Sequence, residues 1–209
     1  MRLFFAVLIP PVISRGIAAE RENISVPFLR WVAPENQHFT LRFLGEIEEG
    51  RVAELILNGR ETALKHHSFS LTIFGAGFFP DEERPRVFWV GTGEGSEKLI
   101  ALAGDLSLGS ENHLFFPHLT VARITPRLYP PLQRGRRGGS EKNKFQELES
   151  WKNRNFGSFS VNEFCLVESL LLPVWTSRQT SPNLARSGRP TGAVYRKVHS
   201  FSLEALDGR

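Results

Sequence analysis

Two short histidine motifs, His38-Phe39-Thr40 and His118-Leu119-Thr120, stand 80 positions apart in this sequence. One His-x-Thr triplet arises often by chance; two, each continuing into an apolar strand-like run, are more specific. Histidine ionises near pH ~6.5 and serves as acid or base close to neutrality. Two histidines on opposite sides of a phosphate supply what the opening of a cyclic phosphodiester requires. One takes a proton from water and the other gives a proton to the departing ribose oxygen. Threonine hydroxyls and backbone amides would hold the non-bridging oxygens, and Arg42 would counter the charge that grows in the transition state. The competing reading is that each histidine is a surface residue and each threonine is there for its strand propensity. Neither motif has the His-x-x-x-His, cysteine or carboxylate spacing of a catalytic zinc site, so no metal and no cofactor is expected. The remaining histidines, His66, His67, His113 and His199, read as structural or surface residues.

Strands must position these residues. Side chains two apart on a strand point the same way. His38, Thr40 and Arg42 then share one face, with Phe39, Leu41 and Phe43 on the other. His118 and Thr120 share a face likewise, while Leu119 and Val121 turn inward and Arg123 falls opposite His118. Further strand-like runs are expected at Arg2 to Leu8, Phe28 to Val32, Phe69 to Phe74, Arg86 to Val90, Phe159 to Val167 and Ala193 to Phe201. Apolar residues at helical spacing predict helices over Val12 to Arg21, Gly50 to His66 and Glu97 to Leu108. The pattern is α+β. Each half runs helix, link and His-x-Thr strand in the same order, which is compatible with two lobes that each donate one strand to a shared cleft.

Composition sets the frame. With 209 residues, 41% apolar side chains and seventeen phenylalanines, the chain is sized and composed for a single domain spanning 1–209. The lone cysteine, Cys165, forms no intrachain disulfide and reads as a buried thiol, which points to a reducing, cytoplasmic setting. The apolar run Leu3 to Ile9 stops at Pro10-Pro11, too short to span a bilayer, and is expected to be a buried strand with no membrane partner. The net charge of +4 is local. Residues 123 to 154 hold nine Lys/Arg against three Glu, a net of +6, and the rest of the chain is about −2. That segment is either a solvated loop or an element that meets phosphates. Two stretches, 128–150 and 173–192, are rich in Pro, Gly, Ser and Arg and are expected to be flexible insertions.

Several segments together resemble one family. Met1 to Val7, Arg30-Trp31-Val32-Ala33-Pro34-Glu35-Asn36-Gln37-His38-Phe39-Thr40-Leu41-Arg42-Phe43-Leu44-Gly45, Arg84 to Gly91, Pro117 to Arg123, Phe156 to Phe159 and Val167 to Leu170 are similar, in order, to the 2H phosphoesterases. Within that superfamily the likeness is to the RNA 2′,3′-cyclic phosphodiesterases, also described as 2′-5′ RNA ligase-like. The resemblance implies a bilobal α+β fold, with two antiparallel-rich sheets flanked by helices around a central cleft. It implies His38 as proton donor and His118 as proton acceptor, with Thr40 and Thr120 beside them. The implied partner is RNA with a 2′,3′-cyclic phosphate end, tRNA fragments included, hydrolysed by a monomer to a 2′-phosphate. The family often keeps an arginine near the phosphate at the position of Arg123, and a bulge or a strand end would reconcile that with strand parity. Phe5, Trp31 and Tyr195 are candidates to stack a terminal base, or to pack in the core. Two other functions stay open: joining RNA halves through a 2′-5′ bond, and RNA binding without catalysis through the loop around Arg134 to Arg137.

Overall fold

Strand β1 (Arg2–Leu8) is buried on both faces. Leu3, Phe5 and Val7 enter the main core, while Phe4 and Ala6 join Cys165 and Val167 in a smaller cluster on the other side. An unbroken apolar run is what such a central strand needs. Residues 1–26, 28–106, 115–125, 145–171 and 193–205 are described by the computed structural model.

Helix α1 (Pro11–Arg21) starts on a proline, where the missing amide is least costly, and buries Ile13 and Ile17 one turn apart. Next come β2 (Leu29–Trp31), a 3-10 turn at Pro34–Asn36, β3 (His38–Glu46) and α2 (Val52–Ala63). Gly59 lies inside α2, and a Cβ there would meet the Phe201 ring at 2.5 Å. The glycine therefore lets the helix lie flat on the sheet. The chain continues through β4 (Phe69–Phe79), β5 (Val87–Thr92), α3 (Ser96–Asp105), β6 (Leu119–Ile124), α4 (Gln146–Glu149), β7 (Asn155–Val161), β8 (Glu163–Leu171) and β9 (Ala193–Ser202).

The strands form one sheet in the order β7-β4-β5-β6-β3-β1-β8-β9, with β2 on β6, and these neighbouring strands run antiparallel. The two expected sheets are thus two wings of one: β3-β1-β8-β9 and β6-β5-β4-β7. A single ladder pair, Phe39 with Leu119, joins them. The run expected as one strand from Phe159 to Val167 divides at Asn162, because its first part pairs with β4 in one wing and its second with β1 in the other. Periodicity cannot reveal a change of partner within an extended run.

Residues 173–192 and 126–144, which include most of the two expected insertions and the basic loop, lie outside the described residues, as does His113. At the end of the expected insertion 128–150, α4 is helical and buries Leu148, with Trp151 following into the core. The expected loop therefore does not extend over these residues.

Candidate active site

The pair that joins the wings consists of the middle residues of the two His-x-Thr motifs, both 0% exposed. In an antiparallel register this sets His38 level with Thr120 and Thr40 level with His118. Diagonal neighbours in such a ladder are about 7–8 Å apart, enough to admit a phosphate between the histidines. The burial of Phe39 and Leu119 sends the flanking histidines and threonines to the opposite face of the sheet.

Each histidine is held in the same way. A proline-bearing lead-in, Pro34–Asn36 before His38 and Pro117 before His118, presents the carbonyl two residues upstream to the ring. His38 Nδ1 lies 2.8 Å from the Asn36 carbonyl oxygen, and His118 Nδ1 lies 2.8 Å from that of Phe116. A carbonyl only accepts, so Nδ1–H donates, and in the neutral ring Nε2 keeps the lone pair. The rings are also packed. Phe4 stacks on His38 at 4.9 Å between centroids, and Tyr195 meets its edge at 4.9 Å. Phe79 stands edge-on to His118 at 4.8 Å, with Phe116 alongside. Burial pushes both imidazoles below the ordinary value of 6.5, against the opposing effect of the carbonyl hydrogen bonds. For His38, the nearby His118 and Arg123 lower it further.

Both motif strands carry an extra residue at the third position after the histidine. Against β1, Ala6 pairs with Thr40 and Phe5 with Arg42, so Leu41 is skipped. Against β5, Trp89 pairs with Thr120 and Phe88 with Ala122, so Val121 is skipped. The Val121 carbonyl accepts from the Val32 amide at 2.9 Å, which satisfies the irregular backbone. Each bulge reverses the alternation beyond it. Val121 and Ala122 are consequently both buried, and Arg123 emerges exposed on the face of His118 and Thr120. This resolves the conflict between the position of Arg123 and simple parity. The same shift corrects the first motif. Arg42 pairs with core-facing Phe5 and leaves the His38–Thr40 face, and Phe43 takes the outward place at 53% exposure. Arg2 lies over its ring, 5.1 Å from the centroid.

Of the aromatic candidates, Tyr195 reaches His38. Phe5 does not: it is fully buried against Phe164 and Phe201, on the opposite face of the sheet from His38. Trp31 packs against Phe88 and Trp151 on the core side. The ring beside His38 from β1 is Phe4, which the sequence does not single out because every residue of the strand around it is apolar. Phe79, Phe116 and Trp89 likewise join the surroundings of the second motif, and only Phe116, two residues before His118, has a positional signal. Elsewhere, His66 pairs with Asp105 at 2.8 Å and His67 approaches Glu204 at 3.8 Å. Burial raises the Cys165 thiol, outweighing the opposing effects of the Ser200 hydroxyl, 3.6 Å from the sulfur, and of Lys197. Among the described residues no three His, Cys, Asp or Glu side chains converge as a metal site would require.

Residues 7–89 match the LigT-like phosphoesterase family. The chain is 33% identical over 153 residues to an RNA 2′,3′-cyclic phosphodiesterase of Aquifex aeolicus, spanning 69% of this chain and 75% of that protein. It is 30% identical to the protein of the same name from Thermus thermophilus, over all of this chain and 93% of the relative. The chain belongs to the LigT-like phosphoesterases. As a member of this 2H phosphoesterase family it is an enzyme of the phosphodiesterase class. Solved LigT-like structures share its fold. A crystal structure of a Thermus thermophilus protein gives a TM-score of 0.67 at 27% identity, covering 99% of this chain and 100% of that one. Escherichia coli LigT complexed with NADP+ gives 0.66 at 26% identity, covering 97% of each, and the same protein has been solved with 3′-AMP and with phosphate.

Proposed function

We propose that this LigT-like phosphoesterase hydrolyses RNA 2′,3′-cyclic phosphodiester ends to 2′-phosphomonoesters without a metal, using His38 as acid and His118 as base. The observation that carries the reading is the matched pair of Nδ1-to-carbonyl hydrogen bonds, which leaves both Nε2 atoms to exchange protons on either side of the Phe39–Leu119 pair. His118 Nε2 takes a proton from water as the water oxygen bonds to phosphorus. The P–O3′ bond breaks, and His38 Nε2–H protonates O3′. The product keeps its phosphate on O2′, and solvent then restores both imidazoles. Thr40 and Thr120 hydroxyls hold the non-bridging oxygens, and Arg123 balances the charge that grows on them. The bulges favour Arg123 over Arg42 for this role, and Tyr195 and Phe4 fix the His38 ring. Left to their protein surroundings, both histidines favour the neutral form, which suits a base but not an acid. The anionic substrate supplies the counter-charge that lets His38 hold its proton.

His38→Ala and His118→Ala should each lower kcat by about 10²- to 10⁴-fold on a nucleoside 2′,3′-cyclic phosphate, the contribution of one positioned acid or base. EDTA should leave the rate unchanged. Full turnover in either variant, or loss of turnover on chelation, would overturn this mechanism. A cyclic-ended RNA supplied with a 5′-hydroxyl partner should be opened without being lengthened, whereas a longer product would indicate 2′-5′ joining instead.

A further inference from the structure

In the displacement just described, the entering water and the departing oxygen lie on opposite sides of phosphorus. The departing oxygen belongs to the ribose. The nucleoside, and whatever RNA is attached to it, therefore lies on the side of the acid, His38. On that side β2 lines the edge of β6, in the register Leu29 with Ile124, Arg30 with Arg123 and Trp31 with Ala122. Leu29, Ile124 and Ala122 are core residues and Trp31 packs against the core, so Arg30 and Arg123 both project from the face that carries His38 and His118, and both are exposed. Allowing for the bulge, their level on β6 is two residue rises beyond Thr120, or roughly 7 Å past His38. Arg123 is near enough to lower the proton affinity of His38, which ties this end of β6 to the reacting phosphate.

Two arginines in register on neighbouring strands concentrate positive charge on one face, which favours an anion placed over them. We infer that Arg30 contacts the phosphodiester on the 5′ side of the terminal nucleotide. Arg123 serves the cyclic phosphate, and Arg30 serves the next phosphate along the chain. The inference rests on the cyclic-phosphodiesterase reading with His38 as the acid. It makes Arg30 the residue by which the enzyme prefers a polymer to a mononucleotide, since a mononucleotide has no second phosphate to offer.

The test compares a nucleoside 2′,3′-cyclic phosphate with a trinucleotide that ends in one, using the full chain. Wild type should show a steeper fall of kcat/KM with salt for the trinucleotide, by a log–log slope of about 0.7 for one more contacted phosphate. Arg30→Gln should remove that excess slope and lower kcat/KM for the trinucleotide about tenfold, as loss of one charge-assisted hydrogen bond predicts. It should leave the mononucleotide rate unchanged. Arg30→Lys should keep most of the salt slope. Equal losses on both substrates, no loss on either, or equal salt slopes in wild type would overturn the role of Arg30. Wild type that opens neither substrate would instead sink the hydrolase reading, and this inference with it.

Discussion

The two wings build the same cradle and then depart from each other. Phe4-Phe5-Ala6-Val7 on β1 faces the first motif at the same levels at which Val87-Phe88-Trp89-Val90 on β5 faces the second. Both histidines donate Nδ1–H to a carbonyl two residues back, and both motif strands bulge three residues after the histidine. Five residues after the histidine the wings differ. One wing presents Arg123, a cation felt by His38, and the other presents Phe43, an exposed ring beneath Arg2. Thr40 has Ala6 opposite it, and Thr120 has Trp89. A symmetric cradle would make two interchangeable imidazoles; the unlike flanks give them different neighbours, as the proposed acid and base roles would need.

The largest test of this contrast is Arg123→Phe, which gives both wings the same flank. It should lower kcat/KM about 100-fold, in the range for removal of one transition-state anion donor. Titration of the imidazole C–H signals should show the His38 pKa rising toward 6.5, because a neighbouring cation has gone, with a much smaller change at His118. A variant within about threefold of wild type, far short of that range, would mean that the flank is irrelevant.

The pH profile sharpens the comparison less drastically. Both free-enzyme pKa values lie below 6.5, so the base is ready above its pKa and the acid is lost above its own. The bell in kcat/KM should therefore centre on the acid side of pH ~6.5 and fall about tenfold per unit on its alkaline limb. Its two limbs belong to the coupled pair and not to single residues. The profile for kcat, which reports the substrate complex, should lie further alkaline. A kcat/KM maximum above about pH 7 would contradict the burial of the two rings. Smallest of all, Phe43→Arg gives His118 a cationic flank like that of His38. It should lower the His118 pKa and change the rate only a few-fold, and an unmoved His118 titration would show that the two flanks are not equivalent positions.

Much of this is legible in the chain. The bounds of β1 follow from its apolar run between Arg2 and Pro10, and the His-x-Thr strands follow from alternation. The bulges escape because parity assumes an unbroken strand. At Val121-Ala122 there is a sign, since two adjacent apolar residues before an arginine do not fit strict alternation. At Leu41-Arg42 there is none, and parity accordingly puts Arg42 on the wrong face. Phe4 and Phe5 cannot be told apart by composition, because β1 is buried on both sides and only the partner strands decide which ring meets His38. Asn162, where β7 gives way to β8, carries no local mark strong enough to predict a change of wing.

The gap between the two imidazoles is measured out by peptide units. Phe39 and Leu119 set it through a backbone ladder, and these two residues already differ in size and shape. Side chains that touch neither imidazole can drift without moving one histidine relative to the other, provided these two positions stay apolar and the rings packed on His38 and His118 are kept. The surroundings of the two rings can thus be retuned while the backbone spacing that separates the imidazoles stays as the Phe39–Leu119 pair sets it.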